Sequence, residues 1–384
     1  MNAITTLALF VAIWISVYAV LRGFKTERWG LTAKPFYMIY KTTALNRLME
    51  RVAQKRRFGW LVVWNIASAL AVGQILFIFY SLVKNAYFFF QKPEQASQVM
   101  LLVPGLTISL DSLPYILVSL VVVAVTHEFA HGIASLAEKI PLKSSGIFLA
   151  VVLPGAFVEI DEEKLEKAKS TTKLRIFSAG ASTNIAVGML VLLLLTNFTL
   201  TISPLYFPQS SGVMITGLVE GGAAQNVGIK KWDTIFSLNG TPVRSVDELR
   251  EYMTNVKPNS MLTVGTGRGD LVVKTQTSTQ GPSRALIGIV PFNYYPPRVH
   301  SLPNELPYQI YLTENWMNMI LVSVGLFNML PIGPLDGGKF SDTVLKILRM
   351  KRAKEIGTLI TATCIVILGL NLILSFLRFG FSRI

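Results

Sequence analysis

Residues 127–131 read His-Glu-Phe-Ala-His. On a helix, His127 and His131 stand four apart, so both imidazoles project from one face toward one point. Glu128 lies one residue on, beside that point. Two neutral imidazoles at this spacing bind Zn2+, and the glutamate takes a proton from the water that the metal activates. The chain has 3 histidines; the third, His300, falls in a Pro-rich stretch and reads as a plain surface residue. A catalytic zinc needs a third protein ligand and one open position. Glu159 (or Asp161), downstream of the pair, is one candidate. Asp336, in "NMLPIGPLDGGKF" (328–340), is the other. Asn184 and Asn328 sit within apolar runs, where a neutral amide either donates to an oxyanion or ties helices together.

The elements that must hold these groups belong to a membrane. The chain of 384 residues is 51% hydrophobic and 15% charged, with a mean hydropathy of +0.49. A soluble domain carries about a quarter charged residues. Six apolar stretches approach or reach the roughly 20 residues that span a bilayer: 3–21, 60–83, 113–137, 176–198, 315–330 and 356–377. The first lacks the basic n-region and small-residue cleavage site of a signal peptide, so it reads as a retained span. An unpaired charge near the bilayer centre costs at least ~2.5 kcal/mol on insertion scales, so Glu128 inside the third span requires a purpose. At the end of the fifth, the Gly/Pro-rich 331–338 must unwind the helix, which membrane depth tolerates only against protein or a water-filled cavity.

The net charge of +14 lies mostly beside spans, in residues 22–57 and 339–354. The positive-inside rule accounts for it and places both segments in the cytosol; nucleic acid is not an expected partner. Counting spans puts the N-terminus and residues 199–313 outside, and 138–175 inside. The single cysteine, Cys364, excludes an internal disulfide and a Cys-based zinc site.

"GIFLAVVLPGAFVEI" (146–160) is too short to cross the membrane twice as helices. Pro154-Gly155 splits two β-prone runs, which reads as a hairpin dipping into the membrane. Its exposed edge could pair with an unwound substrate, which makes Gly155 a substrate-binding candidate. From Gly212 to Phe292 hydrophobicity drops and turn signals multiply. This block resembles a PDZ domain: a strand at 213–219, a turn and short helix at Ala223-Ala224, a hairpin turn at Asn239-Gly240, a capped helix at 245–253 and strands near 261–266, 271–277 and 286–290. "ALIGI" (285–289) offers backbone N–H groups to a C-terminal carboxylate, with Gly288 as the second substrate-binding candidate.

"HEFAH" in one span and "NMLPIGPLDGG" in a later one resemble the site-2 proteases, zinc metalloproteases that cut transmembrane segments of other proteins. "GIFLAVVLPGAFVEI" and "KLRIFSAGASTN" (173–184) are similar to the branch that includes the animal enzyme. The resemblance covers about 100–200 and 315–345. It implies one catalytic zinc ion on His127, His131 and Asp336, with Glu128 as general acid/base and with Gly180 and Asn184 near the site. The long cysteine-rich insertion of the animal enzyme is missing, which favours a prokaryotic cell membrane.

The expected fold is thus a polytopic α-helical membrane protein of about six spans, with a membrane-embedded β-hairpin and an inserted extracytoplasmic PDZ-like α+β domain. Its expected parts are N-terminal spans and a basic loop (1–112), a catalytic core (113–200), the PDZ-like domain (208–293), a second part of the core (313–345) and a C-terminal span (346–384). The expected activity is intramembrane proteolysis of membrane-anchored proteins already trimmed by another protease. Two alternatives are a membrane-bound zincin that cuts soluble peptides through Glu159, and a non-enzymatic PDZ-bearing adaptor or metal transporter. The expected partners are those substrates and the lipid bilayer; the sequence carries no signal of oligomeric state.

Overall fold

The computed structural model describes residues 12, 14–22, 30–103, 106–150, 153–278 and 284–380. The chain divides into two compact units, residues 1–191 with 316–384, and 192–315.

The first unit holds a four-stranded antiparallel sheet in the order β1-β2-β3-β4. Its strands are β1 (Leu31–Lys34), β2 (Tyr37–Thr42), β3 (Leu142–Ala150) and β4 (Leu153–Ile160). The hairpin is present, but Pro154 and Gly155 do not make its turn. They lie inside β4, paired with Leu149 and Phe148; the residues between the strands, 151–152, fall outside the described set. A proline fits there because its missing N–H lies on the side turned away from β3, the same side on which Val158 N–H leaves the sheet. The "basic loop" is also folded, since β1 and β2 complete the sheet, β2 pairing with β3 from Tyr37↔Ala150 to Thr42↔Ser145. Gly30 opens this ribbon with φ +80°. Its carbonyl accepts from Lys41 N–H at 2.8 Å, and a Cβ there would lie 2.2 Å from the Lys41 carbonyl oxygen.

Helix α1 (Ala44–Lys55) follows, then α2 (Arg57–Gln91), α3 (Leu113–Ala137) and α4 (Ser170–Thr196). Helix α3 carries the run Val121–Val125, whose β-branched residues favour strands in water. In lipid the backbone must satisfy itself within the segment, and a helix does so. Small residues let α2 and α4 approach: Ala67, Ala71, Ala179 and Ala181 are buried, and Gln74 Nε2 donates to Ser182 Oγ at 3.2 Å. Met49 of α1 is fully buried in a notch at Gly132, where a Cβ would lie 2.3 Å from its sulfur.

Helices α5 (Leu306–Asn328), α6 (Asp336–Ile347) and α7 (Ala353–Phe379) complete the set. Among the described residues four helices are long and apolar enough to cross a membrane: α2, α3 with the turn before it, α4 and α7. The first expected span falls largely on residues outside the described set. The fifth, 315–330, is the second half of α5. That helix begins nine residues earlier with Leu306, in a stretch where Tyr308, Gln309, Tyr311 and Glu314 hide its helical character from hydropathy.

The second unit carries β5 (Gly212–Leu218), β6 (Thr234–Leu238), β7 (Met261–Thr266), β8 (Gly269–Lys274) and β9 (Ile289–Tyr294), in the order β9-β5-β6-β7-β8, with the short strand Thr241–Pro242 beside β6. Alternate inward residues build its core; Ile215, Ile235, Leu238, Leu262, Val264 and Val273 are all fully buried. Ser245 caps the helix Val246–Thr254 by accepting from Glu248 N–H at 3.1 Å. Asp233 is partly buried, which raises its pKa. The Arg268 guanidinium, donating from Nε at 2.9 Å, outweighs this and holds the carboxyl below its ordinary value.

Candidate metal centre

Two elements bring three side chains to one point. His127 and His131 come from α3, and Asp336 from the first turn of α6. His127 Nε2 lies 3.1 Å and His131 Nε2 3.0 Å from Asp336 Oδ2. The two imidazole nitrogens stand 3.1 Å apart. All three side chains are mostly buried.

Chemistry decides what this triangle holds. His131 Nδ1 lies 2.7 Å from the carbonyl oxygen of Ile176. That oxygen only accepts, so Nδ1 carries a proton, and in the neutral imidazole Nε2 then presents its lone pair inward. A carboxylate oxygen also only accepts. Acceptors facing one another at 3 Å repel unless a shared proton or a cation lies among them. Donors on a tetrahedral zinc, with bonds of about 2.0–2.1 Å, stand roughly 3.3–3.4 Å apart, so the triangle needs only a slight expansion. The residues fit a zinc ion.

Helix α4 supplies the wall behind the imidazoles. Gly180 lies against them: a Cβ there would sit 2.5 Å from His131 Nε2 and 2.6 Å from His127 Nε2. One turn on, Asn184 is fully buried. One end of its amide lies 3.3 Å from His127 Nδ1 and the other 2.9 Å from the Thr126 hydroxyl. Asp336 reaches the site because the chain breaks between α5 and α6. Tight turns fill the gap, including Ile332 N–H to Leu330 O at 2.7 Å and Leu335 N–H to Ile332 O at 2.9 Å. Gly337 permits the fold-back, since a Cβ there would lie 2.2 Å from the Met329 carbonyl oxygen.

A cleft of about 540 Å³ opens onto the centre, lined by Glu128, Phe157, Val158, Asn328 and Lys339 among others. Val158 N–H, on the outer edge of β4, donates to Glu128 Oε2 at 2.9 Å. Asn328 lines the cleft and is only part-buried. Glu159 also borders it, but its carboxylate accepts from Ser144 Oγ at 2.6 Å and lies 3.7 Å from Lys41 Nζ. Asp161 caps the short helix that follows, accepting from Lys164 N–H. Neither stands with the histidines. Gly155 borders a separate apolar groove with Val121, Val125 and Phe148. Gly288 lies in the second unit with φ +77°, and His300 is exposed. Sequence reasoning missed the Ile176 carbonyl, the Val158 N–H and Thr126. The first two are backbone groups and carry no residue signature.

The profile of Peptidase family M50 matches residues 115–370. The chain belongs to peptidase family M50. This M50 member is a membrane metalloprotease of the site-2 protease type, and its family is one of zinc metalloproteases. It is 23% identical over 351 residues to an uncharacterized protein of Methanocaldococcus jannaschii, covering 90% of this chain and 87% of that one. It is 30% identical over 149 residues to a membrane-bound transcription factor site-2 protease homolog of Arabidopsis thaliana. That match covers 38% of this chain and only 28% of the plant protein. Among solved structures, the PDZ domain of an SdrC-like protein from Listeria innocua is 20% identical, covering 22% of this chain and 96% of that one with a TM-score of 0.20.

Proposed function

We propose that this M50 peptidase is an intramembrane endopeptidase in which His127, His131 and Asp336 hold one catalytic zinc ion. The observation that carries this reading is the convergence of His127 Nε2, His131 Nε2 and Asp336 Oδ2 within 3.0–3.1 Å of one another, in a cleft that also holds Glu128. When bound, zinc polarises the scissile carbonyl and makes water nucleophilic near neutral pH. Glu128 moves the proton, from the attacking water to the leaving amine. The Val158 N–H fixes one of its carboxylate oxygens and leaves the other for that task. Asn328 lines the cleft and is assigned as donor to the oxyanion. The outer edge of β4 offers unpaired backbone groups to a substrate unwound into a strand, which supports pairing there.

The substrates are membrane-anchored proteins already trimmed outside. The PDZ-like reading of the second unit supports this, because the unit is inserted between two helices that carry site residues. Its edge strand β9 and the helix Val246–Thr254 flank a groove of about 410 Å³ that includes Gly288. Such a groove suits a newly made C-terminus.

The test measures bound zinc and cleavage of a model single-span substrate, offered trimmed, untrimmed and trimmed with an amidated C-terminus. Glu128→Gln should keep its zinc and lose about 10²–10⁴-fold in kcat. Asn328→Ala should keep zinc and lose about 10²–10³-fold. Equal cleavage of trimmed and untrimmed substrate would remove the filter role; indifference to amidation would remove carboxylate capture. Full activity in Glu128→Gln would remove the mechanism.

The basic segments support a cytosolic side for residues 22–57 and 339–354, the second unit then being extracytoplasmic in a prokaryotic cell membrane. In a Cys364→Ser background, cysteines replacing Tyr40 and Met350 should resist an impermeant thiol reagent in intact cells, while one replacing Lys274 should react. The opposite pattern would invert the orientation.

A further inference from the structure

Asn184 presents a hydrogen-bonding conflict whose resolution assigns it a role. The Thr126 hydroxyl lies 2.8 Å from the Val122 carbonyl oxygen, the usual back-bond of a helical threonine. Its single proton can go there or to the end of the Asn184 amide that faces it at 2.9 Å. With the Asn184 amide oxygen at that end, the hydroxyl donates to it, and the conflict lies at the other end. At the other end, 3.3 Å from His127 Nδ1, the amide nitrogen would then force Nδ1 to act as acceptor. A neutral imidazole that accepts at Nδ1 carries its proton on Nε2. That proton would point at His131 Nε2 and Asp336 Oδ2, where the metal's ligand atoms must be bare.

The two ends of an amide are alike in shape, so partners decide which way it faces. Half a turn of the Asn184 amide removes this conflict and leaves the Thr126 proton directed at the Val122 carbonyl. The amide nitrogen then donates to the Thr126 oxygen, and the amide oxygen accepts from His127 Nδ1–H. The lone pair of His127 Nε2 is left for the metal. His131 is held the same way by the Ile176 carbonyl at 2.7 Å. Both holding groups come from one face of α4, at positions 176 and 184, with Gly180 between them.

We infer that Asn184 is a positioning residue: its side-chain oxygen fixes the tautomer and ring orientation of His127, and it does not donate to the oxyanion. Full burial of its side chain agrees, since both amide ends are occupied by α3. The inference rests on the metal site proposed above. It differs from a packing role, because only the acceptor is required.

Two variants of the full-length protein separate the possibilities. Asn184→Asp keeps an acceptor against His127 Nδ1 but cannot donate to an oxyanion. Asn184→Leu keeps the volume and offers neither. Zinc affinity is read by competition with a chelator, and kcat at saturating zinc. Asn184→Leu should weaken zinc by about 10–100-fold, the usual effect of losing an outer-shell partner. Asn184→Asp should hold zinc within a few-fold of wild type and keep kcat within about tenfold. Should Leu unfold the protein, the Asp variant alone still decides. Wild-type zinc affinity in Asn184→Leu, or an inactive Asn184→Asp that binds zinc normally, overturns the role. A wild-type protein that binds no zinc would instead sink the metal site itself.

Discussion

Gly180→Ala should empty the metal centre. The added methyl would lie 2.5 Å from His131 Nε2 and 2.6 Å from His127 Nε2, closer than real carbon–nitrogen contacts. Helix α4 cannot retreat easily, because Ala179 and Ala181 beside it are fully buried. The imidazoles would have to turn, which breaks the bond from His131 to Ile176 and pulls both lone pairs off target. Zinc content should fall to background, and cleavage with it. The fold should survive, since alanine in a helix is favoured over glycine by about 1 kcal/mol. Gly188→Ala, two turns along the same helix, is the control. Its Cβ would press on the Val322 side chain at 2.8 Å and on Leu321 Cβ at 3.3 Å, away from the histidines, a packing cost of about 1–3 kcal/mol. That variant should keep its zinc. Equimolar zinc in Gly180→Ala would show that α4 does not back the two histidines.

The second large effect is expected at the third ligand. Asp336→Asn removes the only negative charge in the triangle and replaces a good zinc donor by a poor one. Zinc affinity should fall by more than the ~10–100-fold that outer-shell partners cost, and cleavage should be lost. Glu159→Gln should retain substantial activity. Its carboxylate meets Lys41 at 3.7 Å with both side chains about half exposed, and such a pair contributes about 0–1 kcal/mol. Metal analysis of both purified variants decides. Retained zinc in Asp336→Asn with loss in Glu159→Gln would turn the assignment toward a glutamate ligand.

Much of the site was legible because metal chemistry constrains residue type and spacing together. The i, i+4 histidines and the Gly/Pro-broken stretch before Asp336 both carry that constraint on their side chains. The sequence alone left Asp336 and Glu159 as rivals, since spacing says nothing about distance across some 200 residues. Asn184 drew notice as an amide within an apolar run, and Gly180 through a resemblance. Their common face with Ile176 becomes meaningful once α4 is seen against α3. The second unit was the most legible part of the fold. Its strands alternate, Asn239-Gly240 adopts φ +47° and +78°, and Ser245 and Glu248 mark a helix start. β1 and β2 were missed for a definite reason. They are four and six residues long, and their lysines were absorbed into the charge pattern. At the hairpin, Pro154-Gly155 gave a turn signal that an edge strand also accommodates.

The sheet also sets an order of biosynthesis. Ser145 of β3 hydrogen-bonds Thr42 of β2 across 103 residues of chain. At roughly 5–20 residues per second, translation leaves the early ribbon without its partner for about 5–20 s. An unpaired strand edge cannot wait in hydrocarbon, where each unsatisfied backbone group costs several kcal/mol. The ribbon β1–β2, with Lys34 and Lys41 on it, must therefore wait at the aqueous surface while α2 and α3 enter the bilayer, and join β3 only afterwards. Bilayer insertion and closure of the sheet are thus separate events. A shortened chain starting at residue 57, the first of α2, would complete the first and never the second.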